Sequence, residues 1–392
     1  MDQLPVGDPT LSAKEIVGNE SQERMGIVIR EEDIEHIRQI ADRERAPFYV
    51  VGETTGDHRF VFEQTDGVKP IDLAMEDMFG KAPRTVMTDR TVEETYEDVT
   101  YDQTQLDEYV ERVLQLEAVA CKDWLTNKVD RSVTGKIARQ QCQGEIQLPL
   151  SDCGVVALDY RGRAGIATSI GHAPQAALVD PAAGSVLSIA EALTNIVWAP
   201  LSEGLDSVSL SANWMWPCKN EGEDARLYRA VEACSDFACS LRINIPTGKD
   251  SLSMTQKYGK DKVYSPGTVI ISAGAEVSDI RKVVSPVLRT GVNSTIYYID
   301  FSFDKLKLGG SAFAQSLDKI GKEVPTVQDS EYFANAFNAV QELINKELIL
   351  AGHDISAGGM ITTMLEMNFA NTEGGLEVSL DEIPEKDLVK IL

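Results

Sequence analysis

The chain has 392 residues, 25% of them charged and 43% hydrophobic, with a formal net charge of −25 at pH 7. That length suggests two or three domains, each with its own core, and the acidic balance argues against a nucleic-acid backbone as partner, which calls for clustered Lys and Arg. No run approaches the roughly 18 apolar residues of a membrane span, and "MDQLPVGDP" lacks the charged start and apolar centre of a signal peptide, so a cytoplasmic protein is expected.

In chain order, "RMGIVI" (24–29) reads as a compact apolar strand. "EEDIEHIRQIADRE" places Ile34, Ile37, Ile40 and Ala41 on one helical face, and "FYVVGE" and "RFVFE" read as further strands. The acidic, proline-broken stretch from about 70 to 105 reads as a connector. A larger unit follows, with helix "LDEYVERVLQLEAVA", strand "CGVVALDY" and helix "SVLSIAEALTNIVWA", whose Leu187, Ile189, Leu193, Ile196 and Val197 are apolar. Strand "DSVSLSA", helix "ARLYRAVEACSDFACSL", a turn "NIPTGKDS" and strand "GTVIISAGAEV" complete it. From "STIYYIDF" a third unit runs through helices "GGSAFAQSLDKI" and "EYFANAFNAVQELIN", strand "LILAGHD", another helix and strand "LEVSL". The alternation of elements gives layered α/β or α+β lobes, without fixing strand order. The abrupt first and last segments suggest an excised piece of a longer polypeptide.

Six cysteines (Cys121, Cys142, Cys153, Cys218, Cys234, Cys239) show no CxxC spacing, and four histidines leave little room for His-rich metal chemistry. The candidates for chemistry are oxygen donors. Glu191 and Asn195 are four apart on a helix that is otherwise strongly apolar, so both project from one face. Asp152 follows a strand approach in "LPLSDCG", and Asp354 lies in "GHDISAGGM" at a strand-to-helix turn. These are hard ligands of the kind Mg²⁺ takes, often together with phosphates. An exposed polar face is the plainer reading of Glu191 and Asn195, and a helix cap that of Asp354 and Ser356. "PTGKDSLSM" lacks the first glycine of a phosphate loop, because that position is Ile243. Gly248, Lys249 and Ser251 could meet an anion or form a plain turn. The tryptophans of "NWMWP" suit either a base stack or the core, and His172 and His353 have structural readings as good as catalytic ones.

The words "GNESQERMG", "RERAPFYVVGE", "DRSVTGKIARQQCQG", "SDCGVVALDY", "EALTNIVWAPL", "SLSANWMW", "GEDARLY", "PTGKDSLSM" and "GHDISAGGM" span nearly the whole chain. In that order they resemble the large, single-chain phosphoribosylformylglycinamidine synthase family, also called formylglycinamide ribonucleotide amidotransferases. The resemblance implies lobes of the aminoimidazole ribonucleotide synthetase fold. Residues 1–75 would end a first C-terminal lobe, 76–105 would be an acidic linker, 106–285 a second N-terminal lobe, and 290–392 a truncated second C-terminal lobe. It implies an ATP-dependent reaction that converts formylglycinamide ribonucleotide, glutamine and water to the amidine, through an iminophosphate from which ammonia displaces phosphate.

By motif, Asp152, Glu191, Asn195 and Asp354 would hold Mg²⁺ and Ser151 and Ser356 would contact ATP or ADP, at an auxiliary nucleotide site. Glu20, Ser21 and Gln22, with Gly248, Lys249 and Ser251, would meet substrate. The departure of Lys249 from the glycine-asparagine turn of single-domain relatives puts that last set in doubt. His353 would not be the catalytic histidine, which the resemblance assigns to a missing synthetase lobe; a glutaminase domain would also be missing, so the fragment itself is expected to be inactive. The alternatives are a nucleotide-binding scaffold, and another enzyme of the superfamily such as a selenophosphate synthetase or thiamin-phosphate kinase, which "ESQERMG" and "SANWMW" speak against.

Overall fold

Where alternate residues of an extended segment are apolar, one sheet face can be buried while the other meets water, and the central strands of this protein follow that rule. The computed structural model describes residues 1–19, 24–81, 83–84, 86–126 and 135–392. They divide into two compact units, Met1–Val86 and Met87–Leu392.

In the first unit, α1 (Ala13–Gly18) begins with a capping box in which Ser12 accepts from the Glu15 amide and Glu15 reaches back. The amphipathic helix α2 (Ile34–Glu44) follows, then an antiparallel hairpin of β1 (Arg59–Phe62) and β2 (Ile71–Ala74) and a short α3 (Met75–Phe79). The segments "RMGIVI" and "FYVVGE" were expected as strands. Among the described residues neither has a ladder partner, and Met25 and Val28 are exposed.

The second unit opens with an irregular stretch and then α4 (Leu106–Leu114), shorter than its apolar pattern suggests, and α5 (Asp123–Thr126). Its centre is a six-stranded sheet of β3 (Ile137–Arg139), β6 (Gly154–Ala157), β7 (Gly165–Gly171), β8 (Ser209–Met215), β9 (Asn244–Ser251) and β12 (Thr268–Val277), in spatial order β3-β6-β7-β12-β8-β9. All neighbours are antiparallel except β8 and β9. Two hairpins attach to it, β4 (Cys142–Gln143) with β5 (Leu148–Pro149), and β10 (Thr255–Tyr258) with β11 (Asp261–Tyr264).

Helices α6 (Pro174–Val179), α7 (Pro181–Ile196) and α8 (Glu223–Ser240) connect these strands. α7 starts where it does because Asp180 accepts from the Ala182 and Ala183 amides and Pro181 takes the first helical position, which needs no N–H. Its Ile189, Leu193 and Ile196 pack on the inner sheet face with Ala167, Ile271, Ala273 and Val277. Gly171 allows this approach: a Cβ there would lie 2.2 Å from both the Ser188 carbonyl oxygen and the Ala192 nitrogen. β7 shows the division most plainly, with Gly165, Ala167, Ser169 and Gly171 turned inward and Ile166, Thr168 and Ile170 outward.

"NIPTGKDS" is strand β9 rather than a turn, since its parallel pairing with β8 overrides the local breakers Pro246 and Gly248. After the sheet come α9 (Ala312–Ser316), α10 (Ser330–Asn345), α11 (Gly359–Phe369) and α12 (Leu388–Ile391). The expected strands "STIYYIDF", "LILAGHD" and "LEVSL" form no ladder among the described residues. α10 joins the main core through Phe333, Phe337, Val340 and Ile344. A smaller cluster gathers Tyr109, Val113, Phe313 and Val389. No helix among the described residues is long and apolar enough to cross a membrane.

Candidate functional site

Asp152 lies just before β6, where the chain turns from the β5 hairpin into the sheet. Glu191 and Asn195 sit one turn apart near the end of α7, and close packing at Gly171 brings the Cβ of Glu191 against β7. The Asn195 carboxamide donates to the Ile170 carbonyl at 3.0 Å, which fixes the helix end to the strand. From the other direction the chain 351–356 delivers His353 and Asp354, and α11 begins behind them.

One ligand atom each from Asp152, His353 and Asp354 lies within 4.8 Å of the others. The three side chains are only 4%, 8% and 4% exposed. His353 Nδ1 is 2.6 Å from Asp152 Oδ1 and 3.7 Å from Asp354 Oδ1, and its Nε2 is 3.1 Å from Glu366 Oε2. Asp354 is held from behind by Thr363, whose hydroxyl donates to its backbone carbonyl at 2.9 Å. Asp354 Oδ2 is buried with no hydrogen-bond partner, a costly condition for a carboxylate oxygen.

The electrostatics follow from burying several acids together. Burial raises the Asp152 carboxyl, against the stabilising hydrogen bond of His353. Burial and then repulsion from Asp152 and Glu191 push Asp354 well above the carboxylate range. Burial and the charge of Asp152 push Glu191 up to about 7. Burial works against a charged His353, but its hydrogen bonds to Asp152 and Glu366 prevail and raise it to about 10. The pocket concentrates negative charge around one imidazole.

The sequence expected Asp152, Glu191, Asn195 and Asp354 together. The structure joins Asp152 and Asp354 directly and sets Glu191 within electrostatic reach of both. The expected helix cap fails: the residue that caps α11 is Gly358 at φ 101°, a conformation that suits glycine, and no side chain caps the helix. Ser356 is exposed and contributes its backbone carbonyl, which accepts from the Gly359 amide at 3.0 Å. Ser151 bonds through its hydroxyl to the Gln140 carbonyl at 2.7 Å, next to Asp152.

Gly248, Lys249 and Ser251 lie on β9 at the far edge of the sheet, with Lys249 and Ser251 hydrogen-bonded to each other. Four strand spacings separate β9 from β6, about 19 Å, so these residues are not part of the acidic cluster. Glu20, Ser21 and Gln22 fall outside the described residues. His172 is exposed, and Trp216 is fully buried, which leaves it to the core. His353, weighed from the sequence only as a catalyst or a structural residue, is central to the cluster, and Glu366, which drew no reading, could have been singled out as the one charged residue of α11.

A family model described as the FGAR-AT PurM_N-like domain matches residues 121–276. Another, described as AIR synthase related protein, C-terminal domain, matches 1–64 and 294–390. The phosphoribosylformylglycinamidine synthase of Dictyostelium discoideum is 37% identical over 99% of this chain and 29% of its own length. The enzymes of that name from Homo sapiens and Drosophila melanogaster are each 38% identical, over 100% and 97% of this chain and 30% and 29% of theirs. The chain thus spans about 30% of the length of these curated relatives.

Among solved structures, PurLQS from Thermotoga maritima superposes with a TM-score of 0.53 at 16% identity, over 73% of this chain and 43% of that one. T. maritima PurL complexed with ADP gives 0.53 at 17% identity over 73% and 43%. At such identities the likeness establishes the α/β fold of these lobes.

Proposed function

We propose that this chain, which belongs to the phosphoribosylformylglycinamidine synthase family, supplies an auxiliary magnesium–nucleotide site to the ATP-dependent amidotransferase reaction. In that reaction formylglycinamide ribonucleotide, glutamine, ATP and water give formylglycinamidine ribonucleotide, glutamate, ADP and phosphate, a step of purine biosynthesis. The observation that carries the reading is the clustering of Asp152 and Asp354, whose Oδ2 is buried with no hydrogen-bond partner, with Glu191 in electrostatic reach of both.

Carboxylate and carboxamide oxygens are the donors that Mg²⁺ accepts, and acids pushed toward protonation first by burial and then by mutual repulsion are those that a cation would relieve. Asp152, Glu191, Asn195 and Asp354 are assigned to the ion, which when bound supplies positive charge to nucleotide phosphates. Ser151, anchored beside Asp152, and the exposed Ser356 are assigned to the nucleotide. The Asn195 carboxamide is anchored to β7 through the Ile170 carbonyl and the base of the Glu191 side chain packs against the same strand, so both side chains start from a fixed helix face. Gly248, Lys249 and Ser251 are assigned to substrate, apart from the ion, and Glu20, Ser21 and Gln22 are assigned to substrate by their motif alone.

On this reading the chain binds nucleotide by itself and does not turn over the amidotransferase reaction without the rest of the relatives' length. Its partners are small-molecule nucleotides and those remaining segments, not nucleic acid or membrane. Six free cysteines accord with a reducing cytoplasm.

The test is to precipitate the purified chain and assay the supernatant for adenine nucleotide, with and without prior chelation. MgADP is then added back while the unfolding midpoint is followed. At a hundredfold excess over the dissociation constant, bound nucleotide stabilises by about 2.7 kcal/mol. Asp152→Asn should abolish that gain, and the absence of any nucleotide or stabilisation in the unmodified chain would refute the site. In the full-length enzyme, Asp152→Asn separates the auxiliary role from a catalytic one. Lost nucleotide and lowered stability with turnover retained supports the former, and lost turnover at unchanged stability the latter.

A further inference from the structure

His353 is engaged at both ring nitrogens, by Asp152 at one edge and Glu366 at the other, across 201 and 13 residues of chain. Glu366 lies three residues after Thr363 on α11, so the two project from the same helix face. Thr363 ties down the backbone of Asp354, and Glu366 ties down the ring of the preceding residue. The helix therefore fixes two successive residues of the loop, one by its main chain and one by its side chain. Asp152 gives Oδ1 to the imidazole, while Asp354 keeps Oδ2 free of any partner.

We propose that Glu366 and His353 form a positioning pair that aims the Asp152 carboxylate, with His353 acting as a donor to Asp152 and not as a ligand of the cation. This rests on the metal reading above. Both ring nitrogens already face carboxylate oxygens, Nδ1 at 2.6 Å from Asp152 and Nε2 at 3.1 Å from Glu366, so the ring is turned to hold those two side chains and presents neither nitrogen to an open position. Oδ1 of Asp152 is occupied by that donation, which leaves its other oxygen and Asp354 Oδ2 to face the cation. Such outer partners set the orientation of a ligand, and their removal characteristically weakens metal affinity. Because Asp152 and Glu366 come from distant parts of the sequence, the pair also couples assembly of the cation site to the seating of α11.

Mn²⁺ serves as the probe, added to the full chain. Pulsed electron paramagnetic resonance should show no directly bound ¹⁴N, and a coupling of the size given by a ligated imidazole would overturn the proposal without need of any variant. By titration, Glu366→Ala should weaken Mn²⁺ binding by about 10- to 100-fold, and Glu366→Gln, which keeps an acceptor, should restore it to within about threefold. Glu366 is 32% exposed, so neither substitution opens the core; a purely structural role would lower the metal-free unfolding midpoint and leave the affinity alone. Unchanged affinity in Glu366→Ala, with binding abolished in Asp152→Asn, would sink the positioning role and leave the cation site standing. No saturable Mn²⁺ binding in the unmodified chain would overturn the cation site and the positioning role with it.

Discussion

Strand β12 and the segment 294–301 are both apolar runs rich in strand-forming residues in one compact unit, β12 alternating along its length and 294–301 continuous through Ile296, Tyr297, Tyr298 and Ile299, and they end differently. β12 is paired on both sides, by β7 and β8, and buries Val269, Ile271, Ala273, Ala275 and Val277. In "STIYYIDF" Tyr297 is 79% exposed, and no ladder holds the segment among the described residues. Apolar runs rich in β-branched and aromatic residues favour extended backbone, but a strand also needs a neighbour in register for its N–H and C=O groups. Around 294–352 side chains and isolated backbone bonds take over that task. Asp300 accepts from the Ser302 amide at 2.8 Å, Asp304 from the Thr326 amide at 3.1 Å, and the Gln328 amide donates to the Ser302 carbonyl at 2.8 Å.

The comparison is broken most forcefully on the sheet side. Leu193 is fully buried between α7 and the sheet, so Leu193→Ala should cost about 2–5 kcal/mol in urea unfolding. A loss below about 1 kcal/mol would mean that the helix–sheet interface is not the main core. Next comes the point where α10 is sewn to the sheet lobe. Gln341 is 3% exposed; its Nε2 donates to the Val197 and Ala199 carbonyls and its Oε1 accepts from the Leu201 amide. Gln341→Leu keeps the volume but strands those backbone groups, with an expected cost of about 3 kcal/mol. An unchanged midpoint would show that α10 docks by its apolar face alone.

Much of the sheet lobe was legible because its signals are local. The 3.6-residue apolar period announces the buried face of α7, although the helix as read from the sequence starts at Ser185, four residues late, because the signal of Asp180 before Pro181 was passed over. Glu191 and Asn195 stood out because polar groups on such a helix need a reason. The nearness of Asp152 to His353 could not be read, since it depends on how segments 201 residues apart are folded together. β9 was hidden by Pro246 and Gly248, which read as a turn until the partner strand β8 is known. Ser356 looked like a cap or a ligand and is exposed, because Gly358 in the left-handed region takes the capping position. Glu366 drew no reading, because a single acid on a helix has no assigned partner until residue 353 is brought beside it.

A smaller effect is expected where a side chain substitutes for a ladder. Burial opposes ionisation of Asp304, but its ion pair with Lys307 at 2.7 Å and the amides of Lys305 and Thr326 hold its carboxyl below the ordinary 3.8. A depressed native value means that the contribution is complete above the unfolded value and is lost as pH falls through the native one. Asp304→Asn should therefore destabilise by about 1 kcal/mol at neutral pH. The two unfolding curves should converge below about pH 4, and a gap that persisted into acid would assign the effect to packing instead of charge.

The smallest effect should come from the unpaired segment itself. Tyr297 buries little in the structure, so Tyr297→Ser removes few contacts and should shift stability by no more than about 0.5 kcal/mol. Hydrogen exchange at 294–299 should be correspondingly fast, because amides outside a ladder are protected only by local openings of low cost. A cost of about 2 kcal/mol, or slow exchange that depends on protein concentration, would show that the segment finds a strand partner in solution. The apolar run would then specify a real strand whose neighbour comes from another molecule, and the contrast with β12 would be one of partner supply.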